Sequence, residues 1–66
     1  MNFKIEFERE EDGRWIAEIA DLPGVLACGA TREEAEAAVE ALALRVIADR
    51  IEAEKVAQKT ISFASA

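Results

Sequence analysis

The amino-acid sequence predicts a small α+β domain of order β-β-β-α-β, an antiparallel sheet with one long helix on one face. Three observations carry that prediction. Phe3, Ile5 and Phe7, and then Trp15, Ala17 and Ile19, recur at every second position, the period of strands with one buried and one wet face. Asp21-Leu22-Pro23-Gly24 and Gly29-Ala30-Thr31-Arg32-Glu33-Glu34-Ala35 place a tight turn, a very short strand and a capped helix start in quick succession. From Thr31 to Ala57 there is neither glycine nor proline, so nothing local stops the helix before the mid-fifties.

Taken in order, the first strand alternates Phe3, Ile5 and Phe7 with Lys4, Glu6 and Glu8. Glu11-Asp12-Gly13-Arg14 supplies the turn, since an Asp-Gly pair between alternating runs is a strong hairpin signal and glycine accepts the positive φ of a primed turn. Trp15, Ala17 and Ile19 then continue over the same core as Phe7, which makes the second strand antiparallel to the first. At Leu22-Pro23-Gly24 the proline presets φ at the second turn position and the glycine takes the left-handed one. Val25–Cys28 is a short third strand. Thr31 with Glu34 three residues on forms a capping box, and Glu33, Glu34 and Glu36 favour the positive end of the helix dipole. Thr60–Ala64 alternates again and is expected as a closing strand, returning to its own sheet or pairing with a second subunit.

A helix of this length runs about 36 Å, against roughly 17–20 Å for a common strand, so half of it is expected to overhang the sheet. Ala35, Ala38, Val39, Leu42 and Val46 follow the i, i+3/i+4 rule and form the stripe that faces the core. Leu44, Ile47 and Ile51 form a second stripe on another side of the helix. Scattered exposed aliphatics account for it, as does a homo-oligomer interface, dimer or tetramer, shared with Ile61 and Phe63 of the last strand.

The 66 residues form a single domain, residues 1–66. Alanine supplies 14 of the 34 apolar residues, which leaves a small core and makes self-association a natural source of stability. A net charge of −6 disfavours direct contact with nucleic acid and suits a basic partner. No apolar run approaches a membrane span. The chain opens on a strand pattern rather than a signal segment, and Cys28 is its lone cysteine. Both features point to the cytoplasm.

The inventory for catalysis is thin, and no enzyme is expected. Histidine and tyrosine are absent. Cys28, with no histidine, lysine or arginine foreseen beside it, reads as a small buried hydrophobe. Glu10, Glu11 and Asp12 could suggest a divalent cation, but consecutive acids at a hairpin tip are usually solvated and no calcium-loop spacing follows. Asp21 reads as a turn residue and Trp15 as core. No metal or cofactor is expected.

Phe7, Glu11-Asp12-Gly13, Trp15 and Ala17, then Asp21-Leu22-Pro23-Gly24, then Gly29-x-Thr31-x-Glu33-Glu34-Ala35, resemble in order and type the HicB antitoxin family. Ala20, Val25 and Ala30 depart from residues common in that family, at tolerant positions. The resemblance implies a partial ribonuclease-H-like fold without catalytic carboxylates, and a protein that neutralises a small basic mRNA-cleaving toxin of HicA type. Glu10, Glu11, Asp12 and Asp21 are the toxin-binding candidates. Many members continue into a DNA-binding module; the sequence to Ala66 holds none, so operator binding is not expected. The alternative is a stand-alone self-assembling domain of this type, with a regulatory or structural role and no toxin partner.

Overall fold

The computed structural model describes residues 1–65. Its elements are β1 (Asn2–Arg9), β2 (Trp15–Glu18), β3 (Leu26–Gly29), α1 (Arg32–Glu54) and β4 (Ser62–Ser65), the expected order. The sheet runs β3-β2-β1-β4. β1 pairs antiparallel with β2, and β2 with β3, but β4 lies parallel to β1, with Phe3 opposite Phe63. The sheet is therefore mixed rather than antiparallel. Chain direction explains this: β1 runs up, β2 down and β3 up again, and a single helix reverses the chain once more, so β4 must also run up.

The turns form as their residues dictate, with one change. Val25 N–H donates to the Leu22 carbonyl at 3.0 Å and Gly24 has φ +83°, a type II turn with Pro23 and Gly24 at its centre. The β1–β2 hairpin is not primed. Gly13 N–H donates to the Glu10 carbonyl at 3.0 Å, Glu10 N–H donates to Arg14 at 2.7 Å, and the positive φ falls on Gly13 rather than on Glu11 or Asp12. This is the three-residue connection in which glycine forms a bulge after the turn. Asp12 Oδ1 accepts from Arg14 N–H at 3.0 Å, which ties the tip.

Thr31 caps α1 through its hydroxyl, which accepts from Glu34 N–H at 3.1 Å. The return bond goes one residue further back than in the usual box: Ala30 N–H donates to Glu34 Oε2 at 3.0 Å. At the other end Lys55 turns left-handed with φ 56°, and its N–H donates to the Ile51 carbonyl, closing the last turn.

The core comprises Phe3 and Ile5 of β1, Ala17 and Ile19 of the second strand and its extension, Leu22, Val25, and Ala35, Val39, Ala43 and Ile47 of α1. The helix stripe is thus an i+4 row, with Ala38, Leu42 and Val46 half-buried on one flank. An i+4 row drifts about 40° around the helix at each step. By its fourth member the drift carries the buried line to Ile47, which is 1% exposed. Ile47 therefore belongs to the inside of the domain, not to a second, outward stripe. Phe63 stacks on Phe3 at 5.9 Å between centroids, and β4 closes its own sheet.

Candidate interaction surface

Alternation sends Phe3, Ile5, Phe7, Arg9, Trp15, Ala17, Ile19, Val25 and Ala27 to the helix side of the sheet, and the strand residues between them to the open face. The strand registers then arrange that open face in rows. Glu8 lies beside Ile16, which lies beside Cys28; Glu6 lies beside Glu18, which lies beside Leu26. The bonding at Glu10 and Arg14 makes the even-numbered β1–β2 partners the hydrogen-bonded pairs, so Glu6 and Glu18 sit directly opposite one another in a wider pair, about 5.5 Å between Cα atoms. Like charges in such a pair cost roughly 0.2–1 kcal/mol. Glu8 stands diagonally beside them, leaving three carboxylates on one exposed patch.

The β1–β2 end of the face continues that charge. Glu8, Arg9, Glu10, Glu11 and Asp12 line an open polar concavity of ≈ 480 Å³. Glu10, Glu11 and Asp12 are exposed there, and the hairpin tip brings them together as expected. Asp21 is not with them: it lies in the β2–β3 connection, at the opposite end of the sheet.

Toward the β3 edge the surface becomes apolar. Ile16, Leu26, Ala27 and Cys28, with Glu10, line a shallow depression of ≈ 190 Å³, and Leu26 is 51% exposed. Cys28 is exposed rather than buried, because Val25 and Ala27 occupy the inward positions of this strand. An arginine does accompany it: Arg14 Nη2 donates to Cys28 Sγ at 3.3 Å. The inner face closes off the same end of the sheet differently, with the Arg32 guanidinium 4.2 Å from the centre of the Phe7 ring and that of Arg9 5.9 Å from Trp15.

Of the expected oligomer-contact residues, only Leu44 stands open to solvent, at 46%. Ile47 is interior, and Ile51, Ile61 and Phe63 are half-buried against the chain's own core. Glu6, Glu8, Glu18, Ile16 and Leu26 were not foreseen as surface partners. Their outward parity was readable from alternation, but the juxtaposition of Glu6 with Glu18 needs the hairpin register.

Among the described residues no group of three or more histidine, cysteine or acidic side chains is placed to hold a metal, no charged side chain is buried, and no helix is long and apolar enough to cross a membrane. The open face offers carboxylate acceptors beside apolar area. No family model matches the chain, and no match was found among curated proteins or solved structures.

Proposed function

We propose that this chain is a HicB-like antitoxin, built on a partial ribonuclease-H-like fold, that binds and neutralises a small basic mRNA-cleaving toxin of HicA type in the cytoplasm and has no enzymatic activity of its own. The observation that supports this reading is the open sheet face, where Glu6, Glu18 and Glu8 are held together at a cost that a cationic partner removes. The hairpin acids Glu10, Glu11 and Asp12 extend the same field, and such a field speeds encounter with a basic protein. Asp21, in the β2–β3 connection, stands beyond the Glu18 end of the same sheet.

The test is to mix the protein with the product of a small basic reading frame adjacent to its gene, then follow complex formation and RNA cleavage. A tight complex that suppresses cleavage is expected, and the variant E6K/E10K/E11K should lose both. Failure of the wild-type protein to bind or to protect RNA rejects the reading. The exposed Leu26 and Leu44 favour a second reading, a stand-alone self-assembling domain with a regulatory or structural role and no toxin.

A further inference from the structure

We infer that two copies of this chain join through the free edges of β3, antiparallel about a two-fold axis at Ala27, into one continuous eight-stranded sheet. The inference is independent of any toxin and places the contact on a surface other than the helix.

Backbone direction comes first. Ile19 N–H donates to the Val25 carbonyl at 3.1 Å, so Val25 and every second residue after it turn their backbone groups toward β2. Leu26 and Cys28, lying between, turn theirs to the open edge. In a two-fold pairing Leu26 faces Cys28 of the second copy and Cys28 faces its Leu26, so both exposed N–H and C=O sets are satisfied. That arrangement is self-complementary, as a two-fold contact requires. The edge sequence Leu26-Ala27-Cys28-Gly29 carries neither charge nor proline, the devices that usually keep an edge from pairing.

Side chains and charges agree with the same axis. Leu26 and Cys28 of the two copies become cross-strand neighbours, and the two Ile16 side chains flank them, joining two shallow apolar depressions into one continuous patch. Arg14 and Glu18 stand at opposite ends of each patch, Arg14 beside Cys28 at 3.3 Å and Glu18 in register with Leu26. The two-fold axis reverses one patch against the other and brings each Arg14 toward Glu18 of the second copy. A second copy thus brings its Arg14 toward the row that holds Glu18 and Leu26.

The test reads mass in solution by sedimentation equilibrium. The wild-type protein should weigh about twice the 7.2 kDa chain, and Leu26→Lys, at an exposed position, should be monomeric with an unchanged circular dichroism spectrum. Arg14→Glu and Glu18→Arg should each weaken the dimer about tenfold, through two like-charge contacts. Mixing those two variants should restore it, because each chain then presents the charge that the other needs. Such rescue is not available to a misfolded protein. A wild-type monomer at 100 µM overturns the inference, as does a dimer that survives Leu26→Lys, or a mixture of charge variants no tighter than its components.

Discussion

Replacing Gly29 with alanine tests how closely the last residue of β3 must approach the start of the helix. A Cβ at this position would stand 2.7 Å from Ala35 N, 2.8 Å from Glu34 Cβ and 3.0 Å from the Glu34 carbonyl carbon. Two of those atoms are backbone, so no rotamer change relieves the contact. Restoring ordinary spacing requires the first helical turn to move by about 0.7 Å from the strand. A gap of that size forfeits a quarter to a half of each dispersion contact it opens, and Ala35 and Val39 are fully buried across it. Overpacking of this kind costs roughly 1–3 kcal/mol, a large share of the roughly 3–10 kcal/mol expected for a chain of this length.

In urea, where small proteins lose about 1 kcal/mol per molar, the midpoint of Gly29→Ala should fall by about 1–3 M. Amide exchange at Ala35 and its neighbours should quicken most. Gly24→Ala is the comparison: that residue has φ +83° and open space around it, so its cost of roughly 1–2 kcal/mol is conformational and should leave exchange in the first helical turn unchanged. A Gly29→Ala midpoint within 0.3 M of wild type, on the order of the uncertainty such extrapolations carry, would refute the steric reasoning.

Other substitutions separate the inner and outer faces. Ile47→Ala should cost about 2–5 kcal/mol as a cavity in the core, whereas Leu44→Ala, one turn away and exposed, should stay within about 0.5 kcal/mol; thermal melts compare them directly. Thr31→Ala removes the hydroxyl that accepts from Glu34 N–H and should cost about 1 kcal/mol, read as a lower urea midpoint. Glu6→Lys replaces a like-charged cross-strand pair with an opposite one and should stabilise the protein by roughly 0.2–1 kcal/mol, an effect that added salt diminishes.

Local chemistry made most of the fold legible. Leu22-Pro23-Gly24 dictates its turn because proline and glycine each permit little else at those positions, and Thr31 with Glu34 marks the helix start for a similar reason. What local chemistry leaves open is long-range. The direction of β4 depends on how many times the chain reverses before residue 62, a property of the whole topology. Ile47 escaped for a geometric reason: three successive i+4 steps carry the core line well around the helix, and a fixed stripe centred on Val39 misses its far end. Cys28 was misplaced because an apolar strand of four residues shows no alternation to set its phase; only its pairing with β2 does. The candidate surface was half legible, since the hairpin acids are contiguous in sequence whereas Glu6 and Glu18 meet only through register.

The pairing of β1 with β4 joins the two ends of the chain: Met1 donates its ammonium to the Thr60 carbonyl at 2.7 Å and accepts from Ser62 N–H at 2.9 Å. Closing a loop of that length is entropically unfavourable, so contacts of this range form late in folding. Until residues 62–65 dock, the longest strand of the sheet is an unguarded edge, with Phe3 lacking the ring that stacks on it. A chain still being synthesised, or clipped after the helix, therefore exposes an aggregation-prone template that the finished molecule hides. The four residues of β4 thus serve as the domain's quality seal: their docking covers the long edge of β1 and gives Phe3 the ring that stacks on it.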